Sequence, residues 1–286
     1  MVEKKDVQNV LLIGRTSYVG AYLETALKEQ DINVTALSSS DCDFLDPIAV
    51  KQLFQSLPKI PHTIVFCAVL NKWKALSHRA LVDNTTLVEN LIAYHGLACI
   101  TNIIHFSTVE VYGKHPPVPL TEKSPVDPDS WYSLAKYIGE WMLLSSGRVT
   151  CPVTILRIPG IYGCWPNDHS VIGKMVHALR QEGAVSINGD GTVQRDYVYL
   201  PDLARVVIKL LSSQYLGVVN VGTGRSMTIA TIADSVCRVL GHPKHVTHVE
   251  TDIDREFDLV FDTTILRSLL PGIEFSDIEI GIQSYG

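Results

Sequence analysis

Apolar and polar positions along this chain switch repeatedly between two periods. Residues 7–14 form a short apolar run, and residues 18–28 repeat apolar side chains at helical spacing with Glu and Lys outside. Residues 33–37 read as a second strand. Residues 47–56 follow Asp46, an N-cap candidate, and place a proline at the first helical position, so a helix starts there. The stretch 62–69 (HTIVFCAV) is almost wholly apolar, as a strand covered on both faces requires. A long amphipathic helix is expected over 78–95, a strand over 100–106, a helix over 132–144 and a strand over 153–158. Strands alternating with helices imply an α/β fold built on a parallel, doubly wound sheet. After Gly163 the pattern loosens. A helix is expected over 170–181, then the turn-rich INGDGTVQRDYVYL, a helix over 202–212, a strand over 217–221 and a helix over 227–240. The chain thus divides into a larger body over about 1–163, rejoined by about 193–222, and a smaller C-terminal lobe from 164–192 and 223–286.

Composition narrows the function classes. The 286 residues can bury a large core, and 46% hydrophobic with 19% charged residues is an ordinary globular balance. A formal net charge of -6 gives no polyanion-binding surface, so nucleic acid is not expected as a partner. No apolar run is long enough to span a bilayer. The charged N-terminus runs straight into a strand, so no signal peptide is expected and the cytoplasm is the expected location. The six cysteines form no CxxC pair and read as reduced thiols, and the ten histidines show no HExxH or comparable spacing, so no metal is expected.

Candidate chemistry starts at GRTSYVG, Gly14 to Gly20, between the first strand and the first helix. In a dinucleotide-binding turn the first glycine makes the bend, the second admits backbone to the pyrophosphate, and the third lets helix pack on strand. The helix N-terminus then offers free N–H groups to phosphate. Gly14 and Gly20 fill the outer roles, whereas Ser17 stands at the middle one. Its side chain weakens the loop without abolishing it, and its hydroxyl can donate to a phosphate oxygen. Tyr18 and Val19 complete this cofactor-contacting turn. The second strand ends Leu37, Ser38, Ser39, Ser40, with no acid at its tip to take a ribose hydroxyl. Arg15 and these hydroxyls suit a 2′-phosphate, so NADP is favoured over NAD, although an exposed arginine beside a polar turn has the same pattern. Asp43, followed by Phe44, either meets the adenine or caps the next helix.

Two further segments carry reacting groups. HFSTVEVYG holds Ser107, Thr108 and Glu110, and WYSLAKYIGEW holds Tyr132 and Lys136. A tyrosine four residues before a lysine shares its helix face. An ammonium beside a phenol lowers the phenol pKa, which suits proton exchange with a carbonyl/alcohol pair. Thr108 supplies a second hydrogen bond to the same oxygen.

The ordered set resembles the extended short-chain dehydrogenase/reductases of the NAD-dependent epimerase/dehydratase family, which act on nucleotide sugars. FCAVLNK resembles the segment that lines the cofactor there, and includes Cys67, Ala68 and Lys72. Asn84 matches a structural asparagine. ILRIPGIYG resembles LRxxNxYG, INGDGTVQRDYVYLPDLARVV resembles GDGxxxRDxxxVxDxA, and VVNVGTGRSMTIATIADSV resembles the NxGxG stretch. The resemblance implies a Rossmann-type fold with a C-terminal substrate lobe. It makes Tyr132 the acid/base, has Lys136 hold the nicotinamide ribose and tune Tyr132, and gives Thr108 the reacting oxygen. Lys72, Ser107, Thr108, Glu110, Gly160, Arg195 and Arg255 fall on the substrate side. Arg195 and Arg255 match arginines that grip the diphosphate, and surface ion pairing is the competing reading for both.

Departures shape the expected reaction. Gly160 replaces a substrate-binding asparagine. Val109 stands where 4,6-dehydratases carry an aspartate and decarboxylases a serine, which argues against both; Glu110 either polarises the site or is simply solvated. A keto-sugar nucleotide reductase is therefore expected, with a 4-epimerase retaining NAD as the alternative and a non-catalytic cofactor-binding regulator as a third reading. SSSDCDFLDPIAV with CAVLNK most resembles the GDP-fucose synthase pattern. A homodimer through a four-helix interface is expected from the helices over 82–95 and 132–144, whose apolar residues extend beyond one face.

Overall fold

The computed structural model describes residues 8–70, 77–166, 168–242, 246–249 and 257–286. Its elements run β1 (Asn9–Ile13), α1 (Tyr18–Lys28), β2 (Asn33–Leu37), α2 (Pro47–Ser56), β3 (His62–Phe66), α3 (His78–Tyr94), β4 (Ile100–Thr108), α4 (Trp131–Ser145), β5 (Val153–Ile158) and β6 (Gly160–Tyr162). They continue as α5 (Val171–Glu182), β7 (Val185–Asn188), β8 (Gln194–Arg195), β9 (Tyr197–Tyr199), α6 (Leu200–Leu210), β10 (Gly217–Asn220) and β11 (Met227–Thr228). The last are α7 (Ile229–Val239), β12 (Val246–Val249), α8 (Thr264–Leu269) and α9 (Ile278–Gln283). The chain forms two compact units: Met1–Val111 with Pro128–Arg157 and Ala204–Val219, and Tyr112–Asp127 with Ile158–Leu203 and Asn220–Gly286.

The first unit is built on a six-stranded sheet in the order β10-β5-β4-β3-β1-β2. β1 pairs in parallel with both β2 and β3, and β3 with β4, so the expected doubly wound α/β sheet is present. Alternate strand residues serve the two faces. Leu11, Ile13, Ile64, Phe66, Ile103, Val153 and Ile155 pack with Val50 and Phe54 of α2, Leu87 and Leu91 of α3, and Leu143 of α4. On the intervening positions Val10, Leu12, Val65 and Ile104 are equally buried. Every residue of β3 is buried, which is why HTIVF shows no polar alternation.

Helix starts follow local chemistry. Asp46 Oδ1 accepts from the Ile48 N–H at 2.8 Å, with Pro47 opening α2. α4 begins in a reciprocal serine box: Ser130 Oγ accepts from the Ser133 N–H at 3.1 Å and Ser133 Oγ from the Ser130 N–H at 3.1 Å. This fixes the helix carrying Tyr132 at its first turn.

The second unit has its own core, where Ile172, Met175 and Leu179 of α5 meet Ile232 and Val236 of α7 over Val185 and Ile187 of β7. Its strands are short pairs: β7 with β12, β6 with β9, and β8 with β11.

Leu91 is wholly buried in the first core. Leu91→Ala should lower the unfolding free energy by about 2–5 kcal/mol in a denaturant titration. An unchanged midpoint would show that this packing does not bear on stability.

Candidate active site

The turn after β1 is shaped by close contacts. Gly14 sits at φ +106°, and a Cβ there would fall 2.6 Å from the Ala68 nitrogen, so only glycine passes over the end of β3. A Cβ on Gly20 would fall 2.2 Å from the Gly14 carbonyl oxygen, so α1 could not start against the turn with any other residue. Ser17 occupies ordinary extended backbone, φ -71° and ψ 157°, and is the N-cap of α1. Its hydroxyl donates to the Gly14 carbonyl at 2.8 Å and accepts from the Gly20 N–H at 3.0 Å. The serine therefore closes the turn from within: the loop that sequence reading called weakened is cross-braced by the very side chain in question. The hydroxyl proton expected to reach a phosphate is given to Gly14. Tyr18 and Val19 form the half-buried first turn of α1.

Cys67 and Ala68 leave β3 directly beneath this turn. The Cys67 N–H donates to the Ile13 carbonyl at 3.0 Å, and burial pushes its thiol up to about 11. Asn84 of α3 pins the following segment, its Oδ1 accepting from the Leu70 N–H at 2.8 Å.

At the end of β2 the structure departs from expectation. An acid does reach the tip: Asp41 folds back so that its Oδ2 accepts from the Ser38 N–H at 2.8 Å and from Ser38 Oγ at 2.6 Å. These bonds, with Arg15 a further 3.7 Å away, hold its carboxyl below the usual range. The serines and Arg15 singled out as phosphate ligands are thus gathered around a carboxylate that the sequence reading missed. The signal was present as Ser-x-x-Asp, the spacing at which an acid reaches back to the backbone N–H three residues before it. Asp43 does not cap the next helix, since Asp46 does; its Oδ1 accepts from the Leu45 N–H at 2.9 Å, and the side chain is exposed. Phe44 is turned into the core, its ring 6.0 Å from that of Phe66.

β4 and α4 bring the reacting groups together. Thr108 ends β4, and its hydroxyl hydrogen-bonds the Tyr132 phenol while accepting from the Glu110 N–H at 3.2 Å. Burial, and then the Glu110 carboxylate, push the phenol above its ordinary pKa; the Thr108 bond opposes them. The lowering expected from the lysine neighbour does not appear among the causes, and the phenol moves the other way. Lys136 is 7% exposed, and its Nζ donates to the Phe106 carbonyl at 2.7 Å. Burial brings this ammonium down to about 8. Ser107 donates to Glu140, a buried carboxylate that also takes Arg157 Nη2 at 2.7 Å, so the Ser107 hydroxyl serves α4. Val109 is buried and offers no proton.

In the second unit Arg195 lines a cavity of about 190 Å³ with Tyr162, Tyr197, Thr223, Arg225 and Met227. Its Nη1 donates to the Gln194 carbonyl at 2.9 Å and to the Phe257 carbonyl, with the guanidinium 5.3 Å from the Phe257 ring centroid. A Cβ at Gly160 would fall 2.4 Å from the Tyr197 ring, so that ring fills the space of the side chain absent at 160. The aspartates of RDYVYLPD are clamps. Asp196 accepts from the N–H groups of Thr223 (2.9 Å) and Gly224 (3.0 Å), and Asp202 from the Ser276 N–H (2.7 Å). Lys72 and Arg255 lie outside the described residues. Among the described residues, no helix is long and apolar enough to cross a membrane.

A glycine-braced turn on a doubly wound sheet, with a threonine–tyrosine pair at the end of a neighbouring strand, defines a dinucleotide-dependent enzyme of the short-chain dehydrogenase/reductase type. The chain belongs to the NAD dependent epimerase/dehydratase family, whose model matches residues 10–222. It is 28% identical over 180 residues to a dTDP-glucose 4,6-dehydratase of Streptomyces niveus, covering 61% of this chain and 54% of that protein, about half its length. Solved structures of the same fold include the UDP-glucose 4-epimerase of Thermotoga maritima with UDP-glucose (TM-score 0.82, 23% identity, 97% of both chains). RMD of Pseudomonas aeruginosa, complexed with NADPH, gives a TM-score of 0.83 at 19% identity over 97% of both. A GDP-6-OMe-4-keto-L-xylo-heptose reductase of C. jejuni gives 0.79 at 20%, over 97% of this chain and 96% of that one. The family is one of NAD-dependent epimerases and dehydratases, and solved structures of the same fold also include a reductase and a protein complexed with NADPH.

Two substitutions test the turn. Gly14→Ala should weaken dinucleotide binding at least about tenfold in a fluorescence titration, because strain and clash meet at one residue. Ser17→Ala should lower unfolding free energy by about 1 kcal/mol through loss of the cap. Wild-type values in both would refute the bracing described.

Proposed function

We propose that this chain reduces a keto group on a nucleotide sugar, with Tyr132 as the proton donor. The observation carrying this reading is the Thr108–Tyr132 hydrogen bond with the phenol held protonated by burial and by Glu110. A carbonyl oxygen entering between these two hydroxyls gains two donors as it becomes an alkoxide. Tyr132 then gives its proton to that oxygen, and Thr108 keeps the oxygen in place. Lys136, one turn on, presents a positive charge that offsets the phenolate left behind. The nicotinamide, when bound, supplies the hydride to the carbonyl carbon. Gly14, Gly20 and the N-terminus of α1 support a site for its pyrophosphate, since the two glycines let α1 start hard against the turn, where a side chain would strike the backbone.

Asp41 supports NAD over NADP, reversing the preference read from Arg15 and the serines. A carboxylate at the tip of β2 suits a free ribose hydroxyl and repels a 2′-phosphate. That same residue, with the braced turn, favours a second reading: a 4-epimerase that retains NAD and returns the hydride to the opposite face. In either case Arg195 and its cavity support a site for part of the sugar-nucleotide diphosphate. The wholly non-catalytic reading is disfavoured by the Thr108–Tyr132 contact. We also infer a homodimer, because α3 and α4 leave Val82 (50% exposed) and Trp141 (57%) on their outer surfaces.

Incubation with NADH and a panel of keto-sugar nucleotides should oxidise NADH, and Tyr132→Phe should lose about a hundredfold or more in turnover while still binding cofactor. Full activity in that variant rejects the tyrosine's role. Stoichiometric NAD carried through purification, with no net NADH oxidation, selects the epimerase. Light scattering should return twice the chain mass; the mass of one chain would reject the dimer.

A further inference from the structure

β4 carries a histidine that none of the steps above uses. Ile103, His105 and Ser107 alternate along the strand and share the sheet face that α3 and α4 cover. His105 is 1% exposed. Its ring stacks on that of Phe66 in β3, with centroids 5.5 Å and planes 21° apart. A Cβ on Gly139 of α4 would fall 3.5 Å from His105 Nε2 and 3.3 Å from a Val88 methyl of α3, so Gly139 lets the helices close over the ring. Neither ring nitrogen has a hydrogen-bond partner among the described residues. Such a ring is tolerated in an apolar seam only while neutral, because an imidazolium would bury a charge and two N–H groups with no acceptor. We propose that His105 is an acid-sensitive latch under α4: the neutral ring lets the helix close on the sheet, and protonation releases the helix that carries Tyr132 and Lys136.

The elements packed round the ring give an imidazolium no counter-charge. β3 contributes Phe66 and Cys67, and burial pushes the Cys67 thiol up to about 11, so it stays neutral. α3 contributes Val88, while its carboxylates Asp83 and Glu89 pair with Arg79 and Arg148. α4 contributes Lys136, itself a cation, and Glu140. That carboxylate is taken by Arg157 of β5, whose Nη2 lies 2.7 Å away, and by the Ser107 hydroxyl. Burial first, and then Lys136, hold His105 well below its ordinary value of 6.5. As the pH falls through 6.5 the unfolded chain therefore binds a proton that the folded seam refuses. Stability conferred by the neutral ring is complete above that pH and is lost as the pH drops towards the folded value. For turnover the consequence rests on the roles proposed above for Tyr132 and Lys136. The latch itself can be read without cofactor or substrate.

The test takes the full chain with 13Cε1-labelled histidine, the His105 signal being assigned by its NOE to the Phe66 ring. That signal should keep its neutral shift from about pH 8 down to about pH 5, and a midpoint above about 5 overturns the proposal. Amide hydrogen exchange then compares α4 at about pH 7 and about pH 5, corrected for the intrinsic exchange rate. Protection of α4 should fall between these two pH values by a factor at least about five times larger in wild type than in His105→Phe, whose ring cannot titrate. A smaller difference overturns the latch. Should His105→Phe not fold, His105→Gln is compared instead with the same expected difference; should neither fold, the ring titration of the wild-type chain decides alone. Loss of activity in Tyr132→Phe bears on the proposed reaction and leaves both measurements untouched.

Discussion

The structure of the site depends on how α4 is fastened to the sheet. Lys136 bonds the backbone of β4, Glu140 takes Ser107 from β4 and Arg157 from β5, and the serine box fixes the first turn. Removing either charge of the Glu140–Arg157 pair leaves the other uncompensated in an apolar interior, which typically costs about 3–5 kcal/mol. Such a pair is a poor source of net stability but a strict source of register. A slip of α4 by one residue would break three bonds to two strands at once. That register places the Tyr132 phenol at Thr108, and the proposed proton chemistry rests on their contact.

The glycine turn obeys a similar logic at the C-terminal end of β1. Its two essential glycines are set by backbone crossing backbone, at Ala68 and at the Gly14 carbonyl. The middle position has no such neighbour and adopts dihedrals open to any residue, so a serine fits and spends its hydroxyl bracing the turn. A motif written as three glycines thus conceals two different constraints, one steric and one permissive.

Much of this was legible in the residues. Continuous burial of β3, the Asp46–Pro47 start of α2 and the Tyr-x-x-x-Lys face of α4 are local properties, and local patterns report them. Directions and protonation states are not local. Ser107 and Thr108 are neighbours, yet one serves Glu140 and the other Tyr132. Phe44 followed a plausible cofactor aspartate but belongs to the core. Asp41 escaped notice because its carboxylate is brought to the strand tip by the Ser38 N–H, four residues past the end of β2. Spacing alone suggested an acidic phenol; burial, which spacing does not encode, reverses the sign. The short strands β8, β9 and β11 were hidden because Asp196 and backbone pairing hold that region, with no hydrophobic period of its own.

The central claim is that Thr108 and Tyr132 receive a sugar carbonyl while a nicotinamide delivers hydride to its carbon. Its most direct test uses NADH deuterated on each face of C4 in turn, with a panel of UDP-, GDP- and dTDP-linked keto sugars, and mass spectrometry of the sugar products. One deuteron should appear on a sugar carbon, from one face of the cofactor only. Cofactor binding with no deuterium in any sugar would contradict the account.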